Sequence, residues 1–450
     1  MGILSSLTRE QKEAVGLLQI GTFLEYFDLM LYVHMAVLLN ELFFPKTDPH
    51  TAALITAFAF CSTYVLRPFG ALVFGWIGDH IGRKTTVIIT TMMMSISCII
   101  MANLPTYAQI GITVTWIITL CRVMQGLSSM GEIIGAEIYV TEIVKPPAQY
   151  PAVAFISVAS TFGTVAALGI SVLVTTQGFN WRIAFWIGAA VAMVGTLART
   201  RLRETPEFVD SKRSRQKEIE ESSLNEKQKY YANFKMRIFS KKEQIHKKTL
   251  LAYFLVYCGW PLSFYLGFMY FNPLLKSQFH YSPEDIIFHN FFLSILVCSS
   301  SILWAVMSYK IYPMKILKTR GALFLIFALF LPFLIVSVNH YLHVFMLQTL
   351  ILILTLGAMP ADSIFIKNFP VLKRFTTTSF LYAATRAVMY IVTSFGLVYL
   401  PDYFGHWGLL VITLPVAVGY LWGVNHFIKL EKASGNFPEY RVSEKLSAIR

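Results

Sequence analysis

The sequence contains few charged residues. Asp, Glu, Lys and Arg make up only 14% of its 450 residues, whereas an average soluble protein has about 25%. Hydrophobic residues account for 55% of the chain and aromatic residues for 15%. So little charge does not suit the surface of a soluble protein of this length. The composition therefore excludes an ordinary soluble domain and indicates a chain that lies in a membrane.

Motifs for cofactors and for catalysis are also missing. The ten histidines are scattered, and the sequence contains no H-E-x-x-H and no G-x-x-x-x-G-K-[ST] phosphate loop. The five cysteines show no metal or redox spacing, so we expect buried apolar side chains at Cys61, Cys98, Cys121, Cys258 and Cys298. We predict no enzyme activity, no metal, no cofactor and no use of ATP. Residues 1–13 do not resemble a removable signal peptide.

The hydrophobic residues form twelve runs of roughly 20, the length of helix that crosses about 30 Å of hydrocarbon. We place these runs near residues 15–39, 52–76, 85–103, 110–140, 152–176, 183–201, 250–275, 287–308, 319–338, 341–359, 380–400 and 407–428. The predicted fold is an all-α integral membrane protein with twelve transmembrane helices. Its parts are two six-helix halves (1–200 and 249–428), a polar linker (201–248) and a short tail (429–450).

The basic residues are distributed unevenly around these spans. If both termini are cytoplasmic, all but six of the 38 Lys and Arg residues lie on the cytoplasmic side. The exceptions are Lys46, Arg182 and Lys276 in outer loops and Arg67, Arg122 and Arg386 within spans. This asymmetry predicts the orientation, so the net charge of +13 reflects topology and not nucleic-acid binding. The basic linker is expected to contact anionic lipid headgroups.

A short charged loop joins the second and third predicted helices. It reads Gly75-Trp76-Ile77-Gly78-Asp79-His80-Ile81-Gly82-Arg83-Lys84, and Asp79 and Arg83 share one face of a helical turn. A simple helix hairpin is one interpretation of this loop. The order G-x-x-G-D-x-x-G-R-K also resembles the helix 2–3 loop of the major facilitator superfamily. That resemblance implies a gating role for Gly75, Asp79, Gly82 and Arg83, in which the acid meets the N-terminus of helix 11.

Two acidic residues lie within the first predicted helix. Glu25 and Asp28 are three residues apart on one helical face, with Tyr32 one turn further along. Charged side chains inside a membrane are costly, so they face a polar cavity or a partner. One interpretation is an ion pair with Arg67 or Arg122 that locks the helices together. The second interpretation is a proton-binding site.

Several motifs resemble those of one subgroup, the metabolite:proton symporters. They are G-x-x-x-E-Y-F-D at 21–28, R-P-F-G at 67–70, R-x-x-Q-G at 122–126 followed by Gly131-Glu132, and R-E-T-P-E-F at 203–208. The subgroup, which transports proline/betaine, α-ketoglutarate, citrate or shikimate, usually has Trp at the position of Tyr26. The resemblance implies proton-coupled uptake in a bacterial inner membrane.

These patterns give a set of candidate site residues. We predict proton coupling by Glu25, Asp28 and Glu132, and substrate binding by Tyr26, Arg67, Arg122 and Arg386. Phe27 and Trp116 are further candidates for the lining of the site. Two of the arginines also have structural interpretations: Arg122 holding helices together, and Arg386 extending from a helix end toward the membrane interface.

The C-terminal half matches the subgroup less well. Its loop at 308–315 lacks the Asp and the glycines of the first half, and Lys367 stands where Glu is expected. We predict a monomeric proton-coupled transporter whose substrate is a zwitterion such as proline or betaine. A di- or tricarboxylate is the second substrate class that we consider, and it requires Arg67, Arg122 and Arg386 to converge. The sequence is also compatible with a non-transporting sensor or partner protein and with an equilibrative exchanger.

Overall fold

In the computed structural model, the regular secondary structure of the described residues is helical throughout. The described residues are 7–34, 39, 42–44, 64–177, 180–199, 209–214 and 245–438. The main helices are α1 (Arg9–His34), α2 (Arg67–His80), α3 (Arg83–Asn103), α4 (Ile112–Ile143), α5 (Gln149–Gln177), α6 (Arg182–Arg199), α7 (Lys247–Gln278), α8 (Pro283–Met307), α9 (Pro313–Val336), α10 (Tyr341–Ile353), α11 (Val371–Phe404) and α12 (Leu409–Ala433). Short helices also occur at Tyr107–Ile110 and Asp362–Lys367.

Eight helical stretches of the described chain are long and apolar enough to cross a membrane. They are Arg9–Tyr32, Lys84–Asn103, Gln149–Leu173, Lys247–Gln278, Glu284–Met307, Pro313–Val336, Val371–Pro401 and Gly405–Ala433. The chain is therefore a multi-pass membrane protein. The count of twelve spans and the cytoplasmic position of the termini stay predictions.

Two of the predicted spans are not continuous helices. In α7, a π-helical turn at Tyr265–Met269 interrupts the α-helix. Helix α10 ends at Ile353, and the backbone is irregular until the short helix Asp362–Lys367 begins. The prediction of one span over 341–359 is therefore wrong at its C-terminal end. Irregular backbone is tolerated at membrane depth where it is buried in protein or lines a cavity. We therefore expect the segment between Ile353 and Asp362 to be buried or to line a cavity.

Close helix contacts define the two halves and their interface. Within the first half, α1 packs against α5, and a Cβ at Gly163 would overlap the backbone oxygen of Phe23. Gly163 therefore lies at a close crossing of α1 and α5, where a small residue is needed. The two halves meet where α2 packs on α11 and where α5 packs on α8.

Some sequence predictions fall on parts of the chain outside the described residues. These are Cys61, the R-E-T-P-E-F motif at 203–208 and most of the linker 201–248. The prediction for the remaining cysteines is confirmed, because Cys98, Cys121, Cys258 and Cys298 are free and buried.

Candidate functional site

A cavity of about 90 Å³ lies between the two halves; we call it the central cavity. One water molecule needs roughly 10–15 Å³ measured in this way, so the cavity has room for several waters or a small solute. Its lining comes from α1, α4 and α5 of the first half and from α7, α8, α9, α11 and the segment after α10 of the second. Four charged side chains line it: Glu137, Arg320, Asp362 and Arg386.

Asp362 lies where the irregular segment ends and the short helix begins. Its side chain is 4% exposed, and its Oδ1 accepts a 2.8 Å hydrogen bond from the hydroxyl of Tyr257 on α7. Its Oδ2 has no hydrogen-bond partner among the described residues. The interruption of α10 thus places an acidic side chain in the cavity with one oxygen available.

Glu137 faces the same cavity from α4, in the first half. It is 2% exposed, and its Oε1 accepts a 3.3 Å hydrogen bond from the Ser157 hydroxyl of α5. Within the described part of the chain, its Oε2 accepts no hydrogen bond. Asp362 of the second half lines the same cavity. The cavity therefore brings together one carboxylate from each half.

Arg320 braces the irregular backbone after α10. Its Nη2 donates to the carbonyl oxygens of Gly357 and Met359 at 2.8 and 3.0 Å. The Tyr420 hydroxyl of α12 donates to the same Gly357 oxygen at 2.9 Å. The charge count in the sequence placed Arg320 on the cytoplasmic side, and that is wrong: the side chain is 2% exposed and lines the central cavity.

Arg386 and Tyr26 meet where the halves approach each other. The Arg386 guanidinium lies 3.3 Å from the centre of the Tyr382 ring, a cation–π contact. The hydroxyls of Tyr26 and Tyr382 are 3.4 Å apart and join α1 to α11. Because Arg386 is only 7% exposed and lines the central cavity, the interpretation as an interfacial arginine is wrong.

A smaller cavity of about 50 Å³ adjoins the central cavity; we call it the Arg67 cavity. Tyr26, Trp260 and Arg386 line both cavities. The guanidinium of Arg67 lies 4.3 Å from the centre of the Tyr64 ring, which contacts Tyr390. The structure thus brings together three of the four predicted substrate residues: Tyr26, Arg67 and Arg386.

The fourth predicted substrate residue, Arg122, lines neither cavity. Its guanidinium lies 4.2 Å from the centre of the Tyr32 ring, and its Nη1 donates to Gln125 Oε1 at 2.9 Å. These contacts are those expected of a side chain that holds α1 and α4 together. Trp116, a further candidate, is 71% exposed and also lines neither cavity.

The acids of α1 are buried away from the two cavities. Glu25 lines a separate small pocket with Thr90, Thr91 and Ser128. Asp28 is fully buried beside the Cys98 thiol, and a Cβ at Gly188 of α6 would overlap its Oδ1. Asp28 forms no ion pair with any described residue. The side chain of Glu132 lies outside the described part of the structure.

Asp79 binds near the N-terminus of α11, as the loop motif implied. Its Oδ1 accepts from the backbone N–H of Phe375 at 3.2 Å. Its Oδ2 accepts from the backbone N–H and the hydroxyl of Thr376 at 2.8 and 2.7 Å. A Cβ at Gly78 would overlap the Phe375 ring, so only glycine permits this approach of α2 to α11.

The remaining motif residues surround this contact. A Cβ at Gly75 would lie 2.7 Å from the Cα of Thr376. Gly82 precedes α3 with a φ of 155°, a backbone conformation that favours glycine. The side chain of Arg83 lies outside the described part of the structure. The three glycines therefore serve the turn between α2 and α3 and the packing of α2 on α11.

A buried salt bridge lies beside the Asp79 contact. Arg374 Nη1 of α11 donates to Glu142 Oε1 of α4 at 2.9 Å, and the two side chains are 5% and 0% exposed. A charged pair in such a dry place depends on good geometry. Two acidic side chains, Asp79 through hydrogen bonds and Glu142 through a salt bridge, thus connect the first half to the beginning of α11.

The loop between α8 and α9, which corresponds to the Asp79 loop, makes a different contact. The Tyr312 hydroxyl donates to Glu431 Oε2 of α12 at 2.8 Å. Burial, together with the nearby Glu431 carboxylate, raises the pKa of Tyr312 well above its ordinary value, so the hydroxyl stays a donor at neutral pH. The loop without the Asp therefore anchors to its own half.

The sequence analysis missed three charged residues of the central cavity. Glu137 lies inside a predicted span, and the same argument that selected Glu132 would have selected it. Arg320 lies at the edge of a predicted span, where a basic residue is ordinary. Asp362 had no signal, because its position depends on the interruption of α10. No cluster of three or more His, Cys, Asp or Glu residues suited to a metal ion occurs within the described ranges.

Comparisons with known proteins agree with this architecture. The chain resembles the proline/betaine transporter of Salmonella typhimurium strain LT2, with 29% identity over 61% of this chain and 54% of that protein. It resembles the inner membrane metabolite transport protein YhjE of Escherichia coli strain K12, with 36% identity over 42% of this chain and 45% of that protein. The chain spans about half the length of these curated relatives.

Solved structures with the same fold include the proton:xylose symporter XylE bound to 6-bromo-6-deoxy-D-glucose. Its TM-score is 0.70 at 14% identity, over 92% of this chain and 95% of XylE. The human organic anion transporter MFSD10 has a TM-score of 0.66 at 15% identity, over 94% of this chain and all of that one. The family model of the Major Facilitator Superfamily matches residues 18–396. With its two packed halves and the cavity between them, the chain belongs to the major facilitator superfamily.

Proposed function

We propose that this protein is a secondary transporter that couples proton entry to the uptake of a small zwitterion such as proline or betaine. The observation that carries the proposal is the central cavity, which lies between the halves and is lined by buried charges of both signs. A zwitterion needs an anionic contact and a cationic contact in one small space, and aromatic faces suit a quaternary ammonium. The names of the relatives point to the same class of substrate.

The arrangement of the arginines supports a zwitterion over a di- or tricarboxylate. A substrate with several carboxylates requires Arg67, Arg122 and Arg386 to converge, but Arg122 lines neither cavity. Glu137 and Asp362 add two acidic groups to the central cavity, and these would repel a second or third substrate carboxylate. A substrate with one carboxylate and one cationic group avoids that repulsion.

Transport is proposed to proceed by alternating access, with the two halves rocking around the central cavity. The contacts of Asp79 and Glu142 with the start of α11 hold one side of the interface closed. With the predicted orientation in a bacterial inner membrane, this is the cytoplasmic side. One copy of the chain contains both halves and the cavity, so we propose that a monomer transports.

Within this proposal, Glu25, Asp28 and Glu132 are one candidate set for the groups that carry the proton. Glu25 and Asp28 are buried, at 3% and 0% exposure, and buried carboxyl groups of membrane proteins serve as proton carriers. Variants of individual residues are needed to test this assignment, and they are considered below.

The proposal is tested by uptake into proteoliposomes that contain the wild-type protein. Labelled proline, betaine, α-ketoglutarate and citrate are each offered with and without an inward proton gradient. We expect proline or betaine to accumulate above the external concentration only when the gradient is present. Empty liposomes control for leakage through the lipid, and a protonophore added to loaded vesicles removes the proton gradient without altering the protein.

Three different results of this experiment would each assign a different function. Gradient-driven accumulation of α-ketoglutarate or citrate would replace the zwitterion by a carboxylate. Equal flux with and without the gradient would indicate an equilibrative exchanger. Specific binding without any flux would indicate a sensor or a partner protein and would contradict transport.

A further inference from the structure

Two carboxylates from opposite halves, Glu137 and Asp362, line the central cavity. We propose that Glu137 and Asp362 together bind one proton at this interface and form the coupling site of the transporter. The inference rests on the proposed proton-coupled function and specifies which residues carry the proton. It differs from the assignment to the α1 acids, which line neither the central cavity nor the Arg67 cavity.

In each of the two carboxylates, only one oxygen accepts a hydrogen bond from a described residue. Ser157 donates to one oxygen of Glu137, and Tyr257 donates to one oxygen of Asp362. The second oxygen of each, Oε2 and Oδ2, is buried without a hydrogen-bond partner among the described residues. An unsatisfied buried carboxylate oxygen is costly. A proton on one of the two acids supplies a donor and removes a negative charge at the same time.

The neighbouring arginines do not donate hydrogen bonds to these two oxygens. Arg320 directs its Nη2 at two backbone carbonyl oxygens, and Arg386 lies over the face of the Tyr382 ring. Neither arginine forms an ion pair with Glu137 or Asp362 within the described ranges. The two arginines add positive charge to the cavity, but neither bonds to Glu137 Oε2 or Asp362 Oδ2. These two oxygens can therefore bind a proton.

Apart from the two arginines, the titratable side chains around the pair are tyrosines. The titratable and charged groups facing the pair are Tyr26 of α1, Tyr253 and Tyr257 of α7, Arg320 of α9, Tyr382 and Arg386 of α11, and Tyr420 of α12. The tyrosines keep their protons at neutral pH, and the arginines stay charged. Glu137 and Asp362 are therefore the groups of this set that exchange a proton. Two like charges in one dry site favour a single shared proton.

The position of the pair connects proton binding to the movement of the halves. Glu137 belongs to α4 in the first half, and Asp362 follows α10 in the second. A rocking motion that opens the cavity changes the distance between them. The proton that enters from the outer solution is held while the acids are close, and it leaves to the inner solution when they separate and become hydrated.

The first test needs no substrate and no transport. Trp260 and Trp304 both line the central cavity, so tryptophan fluorescence of the purified protein reports on charge there. We expect a fluorescence change in the wild type over a titration from about pH 5 to about pH 9. Glu137→Gln and Asp362→Asn are each expected to abolish this change, whereas Asp28→Asn keeps it. A flat wild-type profile, or the same profile in Glu137→Gln, overturns the inference.

The second test separates coupling from transport itself. In proteoliposomes, Glu137→Gln is expected to lose gradient-driven accumulation, and the exchange of labelled for unlabelled substrate that it supports is expected not to depend on pH. Accumulation that persists in Glu137→Gln overturns the inference, even if the wild type is a proton symporter. Absence of flux in the wild type contradicts the proposed function instead, and the fluorescence titration then still decides whether the pair binds a proton.

Discussion

The two halves of the molecule differ in what their sequences reveal and in what they contribute. The first half carries nearly all the recognisable motifs, and in the structure those motifs make helix contacts, as Gly78 and Asp79 do against α11. The second half matches poorly but supplies three of the four charged residues of the central cavity: Arg320, Asp362 and Arg386. The helix 2–3 loop motif thus lies at the contact between the halves, whereas most of the charged residues of the central cavity come from the half with few motifs.

The largest effect is expected where the two halves are joined by a buried salt bridge. Arg374→Ala removes the guanidinium that donates to the fully buried Glu142 carboxylate, and the removal of one partner of a buried ion pair costs about 3–5 kcal/mol. We expect a clear fall in the melting temperature of the detergent-purified protein.

Two further variants test whether the loss of stability comes from the buried ion pair. Glu142→Gln/Arg374→Gln removes both charges and is expected to recover part of the lost stability. Lys310→Ala, at an exposed position in the corresponding loop of the second half, is expected to change it by no more than about 0.5 kcal/mol. An unchanged melting temperature in Arg374→Ala would show that the bridge does not join the halves in solution.

The difference between the halves also explains what the sequence was able to predict. The Asp79 contact was predictable because the motif is local and its partner is a helix N-terminus, which attracts an acid. The position of Arg386 was less clear, because α11 begins at Val371 and not near residue 380. That earlier start places Arg386 well inside the helix, too far from its end to reach the membrane interface.

Asp362 shows the limit of sequence reasoning in this fold. Its place in the cavity depends on the interruption of α10 and on Arg320, which bonds to Gly357 and Met359 of the irregular segment. Arg320 lies 37 residues before Gly357 in the sequence, so this contact produces no local spacing pattern. A hydrophobic run predicts a span but not a break within it.

A smaller effect than for Arg374→Ala is expected at the Asp79 contact. Asp79→Asn removes the negative charge and turns one acceptor into a donor that faces the N–H groups of α11. Hydrogen bonds to a charged group contribute about 1.5–3 kcal/mol, so we expect turnover to fall about tenfold or more while substrate affinity stays nearly the same. Uptake rates and binding isotherms measure the two quantities.

Thr376→Val is the matched control for this prediction. It removes one of the three hydrogen bonds to Asp79 and leaves both backbone donors in place. Its effect on turnover is therefore expected to be smaller than that of Asp79→Asn. Normal turnover in Asp79→Asn at normal expression would remove Asp79 from the gate.

The smallest effect is expected at Asp28, where the prediction from sequence and the inference from the structure disagree. Asp28 is fully buried beside Cys98 and lines neither cavity, so Asp28→Asn replaces a costly buried acid by a neutral group of the same size. If the coupling proton resides on Glu137 and Asp362, accumulation in Asp28→Asn stays within about threefold of wild type, since the change is a small rearrangement outside the cavity. Loss of accumulation in Asp28→Asn, with accumulation retained in Glu137→Gln, would return the coupling site to α1. It would also mean that the first half supplies both the gate and the proton site.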